Sequence, residues 1–140
     1  MQIKLRIFLV VISFLLQGCP EKNDSNFDSI ITIINNSEKT LIYSVADVEL
    51  GDTSLPLSQP YPSNFSNRVI EKKSTHNENG SFIFDLRKNE NSVTSVFVFD
   101  IDTLKKYEWE LIRKNKKYEK KFTITLDSFD HKNHVVLFYP

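Results

Sequence analysis

Apolar stretches and polar breaks alternate along the whole chain, and the first apolar stretch differs from the rest. Ile7 to Leu16 is apolar but for Ser13 and stands behind Lys4 and Arg6, whereas the runs beyond residue 28 shorten to strand length. Ile30 to Ile34 is β-branched and closed by Asn35-Asn36-Ser37, and Thr40 to Val45 resumes the apolar pattern, which predicts two strands joined by a polar turn. From Asp47 to Asn67 the pattern breaks. Gly51, Pro56, Pro60 and Pro62 predict a long loop there, and Leu50, Leu55, Leu57, Tyr61 and Phe65 predict that it packs down onto the domain.

Arg68 to Lys73 reads as a short strand and His76 to Gly80 as a turn. Ser81 to Leu86 reads as a strand whose Phe82, Phe84 and Leu86 share a buried face, and Lys88 to Asn91 as the turn after it. Val93 to Phe99 follows, and Val96-Phe97-Val98-Phe99 is apolar on both faces, so it must be covered on each side. The cover is a helix capped by Asp102 or Thr103 and running to about Asn115. Leu104, Tyr107, Leu111 and Ile112 form its apolar stripe, Trp109 lies at the stripe's edge, and Lys105, Lys106, Glu110, Arg113 and Lys114 lie opposite. Lys120 to Leu126 alternates as a strand, Thr125 to Phe129 reads as one helical turn, and Val135 to Tyr139 closes the chain. The expected fold is mainly β (α+β): an antiparallel sheet or two-sheet sandwich of about seven strands with one covering helix.

The first apolar run has another purpose. Lys4 and Arg6, the run itself and the small Gly18 have the three parts of a secretory signal. A run of ten residues, apolar but for Ser13, is too short to span a bilayer, which takes roughly 20. Leu16-Gln17-Gly18-Cys19 resembles the bacterial lipobox, with Leu three residues before the cysteine and a small residue one before it; Gln17 stands where Ala, Ser, Thr or Val is more usual. The resemblance implies cleavage after Gly18 and lipidation of Cys19, the chain's single cysteine. It divides the chain into a signal peptide (1–18), a lipidated Cys19 with a polar tether (19–28) and one globular domain (29–140). A diacylglyceryl group with a third acyl chain would make attachment effectively permanent, since one chain alone binds only marginally.

Beyond the signal the charges nearly balance, so no basic surplus points to nucleic acid, and no second cysteine exists to form a disulfide. The 11 Phe, 5 Tyr and single Trp are the material for a packed core. With only Gly18, Gly51 and Gly80 as glycines, a phosphate-cradling loop is excluded, and no cofactor is expected. Phe97-Val98-Phe99-Asp100, Asp102-Thr103-Leu104, Tyr107-Glu108-Trp109, Tyr118, Thr123 to Leu126 and the terminal Tyr139-Pro140 resemble a group of small lipoproteins of Bacteroidota. His134 stands where that group has a Trp before the last strand. The resemblance implies a cell-envelope location and this fold, and adds no site; the lipid-anchored chain is expected at the outer membrane.

Three constellations carry possible chemistry. Val98 to Leu104, with Asp100 and Asp102, looks like the nucleophile strand of haloacid-dehalogenase-type phosphatases, but lacks the residue between the second Asp and the Thr; a strand running into a helix cap accounts for it. Asp127, Asp130, His131 and His134 offer carboxylate and imidazole ligands for zinc, against a solvated turn as the plainer reading. A small hydrolase or metal-dependent enzyme centred on His131 and His134 is the alternative function. Lys105, Lys106, Arg113, Lys114, Lys116, Lys117, Lys120 and Lys121 fall within 17 positions and could attract an anionic glycan, lipid or protein, against a solvated face interleaved with Glu108, Glu110 and Glu119. The expected function is a non-enzymatic binding, adhesion or envelope accessory module, attached to the membrane through Cys19.

Overall fold

The computed structural model describes residues 27–50, 55, 66–88 and 91–140, with residues 47–50 and 66 described for their backbone alone. Seven strands form two sheets: β1 (Ser29–Asn35), β2 (Leu41–Leu50), β3 (Val69–Ile70), β4 (Ser74–Gly80), β5 (Ser92–Asp100), β6 (Lys120–Ile124) and β7 (His134–Tyr139). Three short helices, α1 (Phe82–Leu86), α2 (Ile101–Lys106) and α3 (Trp109–Lys114), join them, with 3₁₀ turns at Ser66–Arg68 and Leu126–Ser128. One sheet has the order β4-β1-β7 and the other β3-β2-β5-β6. All pairs are antiparallel except β1 with β7, which run parallel in register from Ile30–His134 to Asn35–Tyr139.

Alternation within each strand builds two cores. Ile31 and Ile33 of β1 with Val135, Leu137 and Tyr139 of β7 face Leu41 and Tyr43 of β2, Val96 and Val98 of β5 and Ile124 of β6, filling the space between the sheets. The other face of the four-stranded sheet presents Ile42, Ala46, Phe97 and Phe99 to Leu104, Trp109 and Ile112 of the helices, with Leu55 beside them. Strand β5 is thus covered on both sides, as its unbroken apolar sequence demands. The layers are sheet, sheet and helices.

Five local readings are corrected. Ser81 to Leu86 is not a strand: Phe82–Leu86 is α1, and Phe84 points to solvent. The alternating aromatics fit a strand, but a carboxylate distant in sequence selects the helix. Asp28 Oδ2 accepts from Phe84 N (2.6 Å), Asp28 Oδ1 from Ile83 N (3.3 Å), and Ser29 Oγ also lies 3.3 Å from Ile83 N, so the helix's first donors are satisfied from the start of β1. His76 to Gly80 is not a turn but most of β4, a polar edge strand paired with β1 over its full length. Its composition is poor strand material; the β-branched partner supplies the preference. Arg68 to Lys73 contains only the two-residue β3, followed by a turn in which Lys73 has a positive φ.

The single covering helix is two. Tyr107 and Glu108 are extended, and this break turns Trp109 inward while leaving Leu111 exposed. An unbroken helix would have held Trp109 off the apolar stripe; the break stacks it edge-on against Phe99, with ring centroids 5.7 Å apart. Asp100, not Asp102 or Thr103, caps the first helix, its Oδ1 accepting from Asp102 N at 2.9 Å. That cap is the role the structure gives to the phosphatase-like Asp100. Of the long loop, Leu55 is buried in the helix-side core; Gly51, Pro56, Leu57, Pro60, Tyr61, Pro62 and Phe65 lie outside the described residues.

Candidate binding surfaces

The basic cluster divides between two sides of the molecule because β6 alternates. Lys121 is on the helix side, with Nζ 5.6 Å from the Phe97 ring centroid. Lys120 turns toward the other sheet, where its Nζ lies over Phe122 and donates to the carbonyl of Phe138 in β7 at 3.0 Å. Lys120 is therefore a fastener between β6 and β7, apart from the other lysines. On the helix side Lys106 and Lys117 both approach the Tyr107 ring, at 5.3 and 4.6 Å, and Lys114 and Lys116 are exposed. Arg113 pairs with Glu110 at 3.3 Å and Lys105 meets Asp102 at 3.9 Å, which takes them out of a free cationic surface. What remains is Lys106 and Lys117 at the Tyr107 ring, Lys121 near Phe97, and the exposed Lys114 and Lys116.

The acidic and histidine group at the other end of β7 is not gathered into a metal site. Asp130 Oδ1 accepts from the backbone N–H groups of His134 (2.9 Å) and Lys132 (2.8 Å), and these bonds hold its carboxyl below the usual aspartate range. His131 is exposed in the turn, while His134 lies on β7 with Nε2 2.6 Å from Thr32 Oγ1. That hydroxyl donates to Asn77 Oδ1 at 2.7 Å, so it accepts from His134 Nε2, which then carries the ring proton and leaves the lone pair on Nδ1. Asp127 is in the 3₁₀ turn. Among the described residues no three His, Cys, Asp or Glu side chains are grouped to hold a metal ion.

A polar cluster that no sequence pattern announced lies at the open edge of the sandwich. Tyr43, fully buried on β2, donates its hydroxyl to Glu78 Oε2 at 2.5 Å and meets His76 Nε2 at 2.9 Å, both from β4. Since the phenol has one proton and gives it to the carboxylate, it accepts from His76, whose Nε2 carries the proton. Burial, and then the bond to Glu78, push the Tyr43 phenol far above its ordinary value. Arg68 lies over the same ring at 5.9 Å. The signal that could have found this cluster is the His76-x-Glu78 alternation, which places both on one face of a strand, but the segment reads as a turn.

Polar bonds also tie the two sheets together near the chain's end. Tyr139 Oη donates to Glu119 Oε2 (2.9 Å), and Lys39 Nζ meets Glu119 Oε1 (3.1 Å) and Asp100 Oδ2 (3.6 Å). The bond to Glu119 raises the Lys39 pKa, and burial, then the same carboxylate, raises that of Tyr139. Close to α1, a groove of about 560 Å³ runs between Leu86, Arg87, Asn91, Ser92, Thr125 and Asp127. Cys19 lies outside the described residues. Comparison of the chain with protein-family models, curated proteins and solved structures finds no match.

Proposed function

We propose that this chain is a lipoprotein of the cell envelope, held on the outer membrane through Cys19, and that its β-sandwich is a non-enzymatic binding, adhesion or accessory module. The observation that carries the reading is the junction Leu16-Gln17-Gly18-Cys19, directly behind a basic and then apolar N-terminal segment. The binding half rests on the lysines around Tyr107, a cationic surface suited to an anionic glycan, lipid or protein. A metal-dependent hydrolase centred on His131 and His134 has less support, since among the described residues no three His, Cys, Asp or Glu side chains are grouped there.

Fractionation of cells tests the anchor. The wild-type chain should partition with membranes and into detergent, and Cys19→Ala should move it to the soluble fraction; membrane partitioning unchanged by Cys19→Ala contradicts the reading. Protease treatment of intact cells then tells the outer surface from the periplasmic face: digestion before lysis places the partner outside the cell.

A further inference from the structure

Among the described residues the two most exposed large apolar side chains, Phe27 and Phe84, each 62% exposed, flank the same residue. Phe27 precedes Asp28 in the chain, and Phe84 donates its backbone N–H to the Asp28 carboxylate at 2.6 Å. Ile30, two residues further on, is also exposed. Asp28 itself is bonded into the fold, its N–H donating to Gly80 O at 3.1 Å and its carboxylate holding the first turn of α1, so the aromatic pair is mounted on a fixed point. Lys88 lies over the Phe84 ring at 4.8 Å while paired with Asp85 at 2.6 Å, and Lys132 borders the hollow beside Phe27 and Ile30. Aromatic rings with lysines beside them are amphipathic in the way that suits the boundary between headgroups and acyl chains.

Position supplies the occupant. Nine residues separate Cys19 from Asp28, a chain that reaches about 30 Å at full extension. A lipid on Cys19 therefore keeps this end of the sandwich within that distance of the bilayer, and at such an effective concentration even weak insertion is favoured. We infer that the end of the domain bearing Phe27 and Phe84 docks into the surface of the membrane that holds Cys19, with Lys132 meeting lipid phosphates. This rests on the lipoprotein reading above. Docking orients the molecule: the sandwich stands on its β1–α1 end and does not swing freely on the tether.

The test uses the full chain, processed in cells and reconstituted in phosphatidylethanolamine–phosphatidylglycerol vesicles. Single cysteines at Phe84→Cys, Val136→Cys and Lys114→Cys are labelled with an environment-sensitive fluorophore; an acylated Cys19 does not react. Docking gives a blue shift and quenching by brominated acyl chains at residue 84, and neither at residues 136 and 114. A chain that floats with the vesicles but leaves residue 84 as solvent-exposed as residue 114 keeps the anchor and overturns the docking. Quenching at residue 136 instead assigns contact to the outer sheet face and overturns it too. A blue shift at residue 84 without lipid quenching means that a second copy covers the aromatic pair, and docking to the membrane is again overturned. If Cys19 labels and the chain does not float, the lipoprotein reading falls and docking with it.

Discussion

Asn35 shows how much one side chain can hold. It is fully buried where β1 ends, and its Nδ2 donates to the carbonyls of Lys39 (2.8 Å) and Glu71 (3.0 Å) while its Oδ1 accepts from Ser37 N (3.0 Å) and Ser37 Oγ (2.7 Å). It fastens the β1–β2 turn to the segment after β3. Asn35→Ala leaves those buried groups unpaired and should cost about 2–4 kcal/mol in urea unfolding; a loss below about 0.5 kcal/mol contradicts this role. The turn at Asn35-Asn36-Ser37 was legible from composition, whereas the reach of Asn35 to Glu71 was not, because that partner is distant in sequence. Lys116 marks an opposite case, with φ 50° just past the end of α3, where glycine is the usual residue. Lys116→Gly should raise stability by about 1 kcal/mol, read as a higher unfolding midpoint.

Tyr43 makes stability depend on alkaline pH. In the unfolded chain the phenol ionises near its ordinary value of 10.0, and in the folded chain only at higher pH, because burial and the bond to Glu78 disfavour the phenolate. The folded state thus holds its proton longer, and the contribution is fully present below pH 10 and lost as pH rises above it. Tyr139 shifts in the same direction and adds to the decline. Urea unfolding between pH 9 and 11 should show stability falling with pH, less steeply in Tyr43→Phe; equal slopes in the two proteins would mean that Tyr43 is not the group responsible.

At the scale of elements, the legible parts were those whose pattern is set by their own residues. The β-branched run of β1, the two-faced apolar run of β5 and the alternation of β6 and β7 all form strands, because period-two burial is encoded locally. Segments decided by distant partners misled. Strand β4 is polar and forms against β1, and α1 forms because Asp28 accepts from its first N–H groups. Asp28→Ala should therefore speed amide exchange across residues 82–86 and cost about 1–2 kcal/mol, although the sequence places it in a tether. Gly80 shows the same junction from the packing side: a Cβ there would lie 2.5 Å from the Phe82 ring, which packs against the core between the sheets. Gly80→Ala should destabilise by about 1–3 kcal/mol, and an unchanged melting temperature would mean that the ring moves aside freely.

At the scale of the whole molecule, two sheets and a helical layer leave several surfaces of different character. Composition showed the aromatic material and the clustering of lysines; strand alternation, once placed in three dimensions, moved Lys120 away from the others. The candidate site was legible as a charge run and not as a surface, since the side taken by Lys120 and Lys121 depends on how β6 sits between the other sheet and the helices, whereas the i,i+3 pairs to Asp102 and Glu110 are local. Of the cationic residues, Lys117 at the Tyr107 ring and the exposed Lys114 and Lys116 should govern binding to an acidic glycan. Combined Lys114→Glu, Lys116→Glu and Lys117→Glu should abolish retention on such a column, while Lys120→Glu should leave retention unchanged and lower stability instead.

Everything proposed for the molecule in its cell depends on attachment of the sandwich to a membrane by a lipid on Cys19. The mass of the chain purified from membranes, with fragmentation of its N-terminal peptide, decides that point. The expected chain begins at Cys19 and carries a diacylglyceryl group with an additional acyl chain. A chain that retains Met1, or one with a free thiol at Cys19, would contradict lipid attachment.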